Sequence, residues 1–121
     1  MADSSVPPLT PAMFALLLAL HYGDRHGSAL MADVARLTGD AIRLGPGTLY
    51  RSLQRLRVDG LVEEVGTGDL PRGDRRAERR RSHRLTAAGR AAAADEARRL
   101  GALVDAARSL GLVATLHHPR D

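Results

Sequence analysis

The segment 45–60 restricts the fold most, because its residues describe a helix with two unlike faces. Three leucines recur at helical spacing and form one apolar stripe: Leu49, Leu53 and Leu56. Pro46 suits the first helical position, where its missing N–H would have no partner, and Gly60 suits the end, where left-handed backbone is common. The spacing therefore predicts a helix from Pro46 to about Gly60 that buries its leucines.

The opposite face of this helix carries polar and cationic side chains: Thr48, Arg51, Gln54 and Arg55. Arg and Gln side chains donate hydrogen bonds to base edges. Thr48 and the N–H groups of the first turn form a candidate phosphate-binding site. Arg51 is the strongest candidate for a base contact because it lies near the helix N-terminus, where recognition helices approach bases. Tyr50 has two interpretations: its hydroxyl contacts a phosphate, or its ring only packs in the core. A solvated amphipathic helix shows the same pattern, so the segment alone leaves its function open.

Composition favours a basic, aliphatic, single-domain protein of 121 residues. The formal net charge is +4, and every cation is an arginine because the chain has no lysine. Basic domains commonly bind polyanions. The absence of cysteine excludes disulfides, thiolate metal sites and cysteine nucleophiles. No apolar run is long enough to span a bilayer, which predicts a soluble, cytoplasmic protein without a membrane partner.

Two helices are predicted before the segment 45–60. Thr10 and Pro11 open the first, which runs to about Tyr22 and is apolar over so wide a face that it should lie centrally. Residues 23–27 are expected to form a turn. Ser28 is expected to cap the second helix, which ends near Gly39, and it is also a candidate for contact with DNA.

Two short strands and a long helix are predicted after it. Residues 61–65 and 82–85 form the strands of a hairpin, and Thr86 caps the last helix. The tip of this hairpin is rich in arginine: Arg72, Arg75, Arg76, Arg79, Arg80 and Arg81. Because clustering like charges is unfavourable for folding, contact with nucleic acid is expected for some of them.

This order of elements predicts a mainly α fold with a small β-wing, the winged helix-turn-helix. Residues 1–9 form a flexible lead-in, 10–86 the winged domain, 87–113 a dimerisation helix and 114–121 a tail. In such a fold the third helix enters the major groove, and the wing lies on the adjacent backbone or minor groove.

The sequence also resembles the PadR family of bacterial transcriptional regulators. The resemblance is carried by Gly-Pro-Gly-Thr-Leu-Tyr-Arg-Ser-Leu-Gln-Arg-Leu at 45–56, by Asp-Gly-Leu-Val at 59–62 and by Arg-Leu-Thr-Ala-Ala-Gly-Arg at 84–90. It implies a dimer, a palindromic operator and repression relieved by a small, often aromatic or lipophilic effector. The chain departs from the family in a longer, more arginine-rich wing, and in Ser82-His83 where the family often has aromatic residues.

The last helix carries an aliphatic stripe near its C-terminal end: Leu100, Leu103, Val104, Ala107 and Leu110. A winged domain already closed by three helices leaves this stripe without an obvious partner, so a second copy of the chain is expected to cover it. The alternative is that the helix folds back on its own domain.

Catalytic and metal sites are not expected. The five histidines form no i, i+4 pair with a carboxylate on the same helical face, and the chain has neither a Ser–His–Asp pattern nor a phosphate-binding glycine loop. We therefore expect a homodimeric, sequence-specific DNA-binding regulator, a repressor without cofactor. The alternatives are a winged-helix protein-interaction module and nonspecific nucleic-acid binding through the wing alone.

Overall fold

The computed structural model describes residues 8–66 and 81–113, and within these ranges the chain forms four helices and three short strands. In chain order they are α1 (Pro11–Leu20), β1 (Arg25–His26), α2 (Gly27–Leu37), α3 (Pro46–Val58), β2 (Val62–Val65), β3 (Ser82–Leu85) and α4 (Ala87–Ser109). The strands form an antiparallel sheet in the order β1-β3-β2. This arrangement confirms the predicted mainly α fold with a β-wing, whose described part is the strand pair β2 and β3.

Helix α1 is the centre of the core. Five of its ten residues are buried: Ala15, Leu16, Leu17, Ala19 and Leu20. The Thr10 hydroxyl accepts a hydrogen bond from the Met13 N–H at 3.1 Å, which confirms the predicted cap. The helix ends at Leu20, two residues earlier than predicted, and Gly23 then takes a φ of +122° that L side chains rarely adopt.

Helix α3 packs against α2 and β2, and its leucine stripe lies in the core. Leu49, Leu53 and Leu56 have no exposed surface and join a single core cluster. The helix ends at Val58, and Gly60 follows with a φ of +78°, as expected for a residue that closes a helix. The prediction that this segment buries its leucines is confirmed.

The turn predicted at 23–27 and the cap predicted at Ser28 are wrong. Arg25 and His26 pair with β3 at His83 and Ser82, and α2 begins directly after them with His26 as its N-cap. The partner strand lies more than 50 residues away, so no local pattern could indicate this two-residue strand. Arg25 also donates two hydrogen bonds, at 2.8 and 2.9 Å, to the buried carboxylate of Asp33, which fixes β1 to α2.

Hydrogen bonds of Thr86 attach the N-terminus of α4 to Gly60 and Leu61, which follow α3. The Thr86 hydroxyl accepts from the Gly89 N–H at 3.0 Å and donates to the Gly60 carbonyl at 2.6 Å, while the Thr86 N–H donates to the Leu61 carbonyl at 3.1 Å. This confirms Thr86 as the cap of the last helix. Ala93 and Glu96 are buried and α4 contacts α1, so the first half of α4 packs on its own domain.

Candidate nucleic-acid interface

Helix α3, which was predicted to enter the major groove and is called the reading helix for that reason, presents the predicted polar face to solvent. Thr48, Arg51, Gln54 and Arg55 are all exposed, on the side opposite the buried leucines. The Arg51 guanidinium donates to the Thr48 hydroxyl at 3.3 Å, and Arg55 lies 3.5 Å from the carboxylate of Asp59. Both contacts are at the surface, where such pairs contribute little, so either arginine can leave its partner for a base or a phosphate.

The N-termini of the four helices fall into two kinds. Helices α1 and α4 are capped by threonine side chains, whereas α2 and α3 begin at His26 and Gly45 without a side-chain cap. N–H groups in the first turn of an uncapped helix can donate hydrogen bonds to an anion, and the helix dipole favours negative charge there. Ser28 is exposed in the first turn of α2 and Thr48 in that of α3. Both helices of the helix-turn-helix thus begin without a side-chain cap and with an exposed hydroxyl in the first turn.

Tyr50 lies at the edge of the core. Its ring packs against the core cluster and its hydroxyl oxygen is enclosed. This position agrees with core packing, and a contact of Tyr50 with phosphate stays a prediction.

Of the six arginines predicted for the wing tip, Arg81 lies within the described residues. Arg81 has only 1% of its surface exposed and lies at the base of the wing, so its predicted place at an exposed tip is wrong. Its guanidinium faces the Glu64 carboxylate at 3.9 Å. The other candidates, Arg75, Arg76, Arg79 and Arg80 together with Arg72, lie outside the described residues.

A cluster at the base of the wing was not predicted from the sequence. It joins Arg57 of the reading helix, Glu64 of β2, and Arg81 and His83 at β3, and is called the wing-root cluster below. Burial, and then the positive charge of Arg57, lower the pKa of His83 from 6.5 to about 4, although Glu64 opposes the shift. The imidazole is therefore neutral at pH 7 in the folded protein.

Stability should fall as the pH is lowered towards 4, because of His83. The unfolded chain protonates this histidine near pH 6.5 and the folded chain only near pH 4, so acid favours the unfolded state between these values. We expect a loss of about 2 kcal/mol in unfolding free energy between pH 7 and pH 5. Urea denaturation at both pH values measures it, with His83→Phe as the non-titrating reference. An equal pH dependence in the two proteins would contradict this assignment.

The aliphatic stripe of α4 is exposed where it was predicted to be. Leu103, Val104 and Leu110 are 56%, 44% and 74% exposed, and Leu112 and Val113 continue the apolar surface beyond the helix. Ala107 is partly buried, and so is Leu100 at the start of the stripe. The alternative in which the helix folds back on its own domain is thus limited to its first half.

A cavity of about 420 Å³ lies between α1, α4 and the turn that joins α2 to the reading helix. Its walls are mostly aliphatic and aromatic, with residues such as Phe14, Leu18, Ile42 and Leu100. Glu96, which is 6% exposed and paired with Arg99, forms a polar part of the wall. Cavities of this size accommodate drug-sized molecules.

The described ranges 8–66 and 81–113 contain neither a metal-binding cluster nor a membrane-spanning helix. No three histidine, aspartate or glutamate side chains there come together in an arrangement that would hold a metal ion. None of the helices in these ranges has the length and apolar character needed to cross a membrane.

Solved structures of several regulators share this architecture. A transcriptional regulator from Clostridium thermocellum matches with a TM-score of 0.66 at 17% identity, over 81% of this chain and 87% of its own. ZitR from Lactococcus lactis, solved in complex with DNA, matches with a TM-score of 0.59 at 15% identity, over 92% of this chain and 66% of its own. RosR from H. salinarum matches with a TM-score of 0.57 at 22% identity, over 88% of this chain and 99% of its own. At these identities the likeness establishes the winged-helix fold.

A comparison with individual curated protein sequences finds no match. A comparison with models of protein families, in contrast, establishes the family. The model of the transcriptional regulator PadR-like family matches residues 16–95, which is well over half of the chain and includes the reading helix and the base of the wing. The predicted resemblance is thus confirmed, and the chain belongs to the PadR-like family of winged-helix transcriptional regulators.

Proposed function

We propose that this protein is a sequence-specific DNA-binding repressor that reads the major groove with α3 and acts in the cytoplasm. The observation that carries the proposal is the exposed face of Thr48, Arg51, Gln54 and Arg55 on a helix held rigidly by three fully buried leucines. The uncapped N-termini of α2 and α3 support it, because they offer positions for two backbone phosphates beside that face. The DNA complex of the structurally similar ZitR is consistent with it.

The proposed assembly is a homodimer that binds an inverted repeat. The exposed stripe of α4 supports it, because monomers rarely leave so many aliphatic side chains uncovered next to each other. A two-fold axis through this surface would place the two reading helices on half-sites whose centres lie about one helical turn apart.

The cavity beside α1 is the proposed site of a small-molecule effector. Thr38 and Ile42 line it, and both belong to the turn that leads into the reading helix. The Thr38 hydroxyl accepts from the Ile42 N–H at 3.0 Å, and between them Gly39 and Asp40 have positive φ values of +58° and +67°. A ligand in the cavity would therefore contact a turn with a strained backbone, and so act on the position of the reading helix.

Specific binding with a steep salt dependence tests the DNA-binding proposal. A dimer that neutralises about six to ten phosphates should show log K falling with log[salt] at a slope of about −5 to −9. Fluorescence anisotropy on the upstream DNA of the protein's own gene and on a scrambled duplex measures both properties. A weak salt response, or equal affinity for the scrambled duplex, would refute sequence-specific binding.

Arg51→Ala should weaken binding to the operator by about 1–3 kcal/mol and relax preference at one base pair per half-site. The reason is that Arg51 is exposed near the N-terminus of the reading helix, where a guanidinium binds the edge of guanine. Arg98→Ala is the matched control, since it removes the same charge from the surface of α4. Competition titrations with single-base operator variants measure the preference. If the two variants behave alike, Arg51 does not read a base.

A further inference from the structure

The inner face of the wing changes from apolar to polar after one pair of residues. Val62 pairs with Leu85 across the strands, and Glu64 pairs with His83. Residues two apart on a strand share a face, so both pairs point to the same side of the sheet. Val62 and Leu85 belong to the hydrophobic core. The next pair along the wing is ionisable, although an apolar pair would simply have extended the core.

The carboxylate of Glu64 lies between two different elements. Its Oε2 is 3.5 Å from Nη1 of Arg57 on the reading helix, and its Oε1 is 3.9 Å from Nη1 of Arg81 at the start of β3. One side chain therefore connects the helix that presents Arg51 to both strands of the wing.

Because these side chains are buried, breaking their contacts should cost more free energy than breaking a surface ion pair. Arg81 and His83 are each 1% exposed, and the side chain of Glu64 is 14% exposed. Loss of a charge from an enclosed pair is far more costly than loss from a solvated one, because the remaining charge is poorly hydrated. Without this charge, the guanidiniums of Arg57 and Arg81 would each lose a carboxylate that lies 3.5 Å and 3.9 Å from them, respectively.

We propose that Glu64 is a positioning residue that fixes the wing against the reading helix and so sets where the wing meets DNA. The part about DNA rests on the proposed function, whereas the part about the wing does not. Buried ionic groups stabilise less than apolar ones of equal volume, but their directional contacts favour one arrangement of the elements they join. The neutral imidazole of His83 adds no positive charge to the cluster at pH 7.

The first test measures the wing without DNA. Glu64→Gln keeps the shape of the side chain and removes its charge. Glu63→Gln is the matched control, because Glu63 lies on the opposite, exposed face, where it is 3.9 Å from the surface residue Arg84. NMR amide order parameters at Val65 and Ser82 should fall from about 0.85 to below about 0.6 in Glu64→Gln and stay unchanged in Glu63→Gln. Unchanged order in Glu64→Gln would overturn the proposal.

The second test uses hydroxyl-radical footprinting on the operator. Glu64→Gln should retain protection over the major-groove half-sites, lose protection of the flanking backbone and bind about five- to thirty-fold more weakly. Adding Arg57→Gln should cost less than its effect in the wild-type background, because the contact it removes is already lost.

These outcomes distinguish a positioning role of Glu64 from a purely structural role and from the absence of DNA binding. A residue with only a structural role would lower the melting temperature and leave the footprint at saturation unchanged, which would overturn the positioning role on DNA. If the wild-type protein gives no footprint, the proposed DNA-binding function fails, and the order parameters alone decide whether Glu64 fixes the wing.

Discussion

The Gly89→Ala variant is expected to lose at least about 3 kcal/mol of unfolding free energy, which is enough to leave a small domain largely unfolded. A Cβ at Gly89 would lie 2.1 Å from the carbonyl oxygen of Leu61 and 2.7 Å from Cδ1 of Leu85. The carbonyl cannot give way easily, because it is backbone and also accepts the Thr86 N–H at 3.1 Å. Chemical denaturation followed by circular dichroism measures the change.

Gly101→Ala is the matched control, since it makes the same substitution in the same helix. A Cβ at Gly101 would meet no atom within 4 Å. Alanine in an open helical position reduces the entropy of the unfolded chain, so this variant should gain about 0.5–1 kcal/mol. The two substitutions should therefore have opposite signs. A mild effect at Gly89 would show that α4 does not approach Leu61 as closely as the structure has it.

Combined replacement of Leu103 and Leu110 by aspartate should convert the proposed dimer to a monomer. Burial of each leucine is worth about 1.5–3 kcal/mol, and a two-fold interface contains each of them twice, so the substitution removes more than a typical dimer can lose. Both side chains are more than half exposed in the single chain, so its fold should remain intact. Light scattering at micromolar concentration measures the mass, and circular dichroism checks the helix content.

Ala102→Asp combined with Ser109→Asp provides the control for this variant. Both residues are exposed on the opposite side of α4, and the two added charges are the same. This protein should remain a dimer. Survival of the dimer in the leucine variant would place the interface elsewhere, and dissociation of both variants would show that charge on α4, not loss of the stripe, is responsible.

Much of the fold follows from local pattern and was predicted correctly. The leucines of the reading helix, the threonine caps of α1 and α4, and the bounds of β3 all depend on residues within a few positions of one another. Helical spacing and N-terminal caps depend on residues within one or two helical turns of each other. Both can therefore be predicted from the sequence. The same holds for the exposed face of Arg51 and Gln54, because the buried leucines determine the opposite side of the helix.

The tertiary structure decided which ionisable groups are enclosed and what lies beside them. Arg81 and His83 look like part of a charged hairpin in the sequence, yet both are buried at the wing root against Glu64 and Arg57. The strand at Arg25 and His26 likewise exists only because β3 returns beside it. These features depend on contacts between segments 17 to more than 50 residues apart, and the energy of an enclosed charge depends on its surroundings more than on its identity. Hydrophobic spacing is a property of the chain itself, whereas enclosure of a charge is a property of the folded neighbourhood.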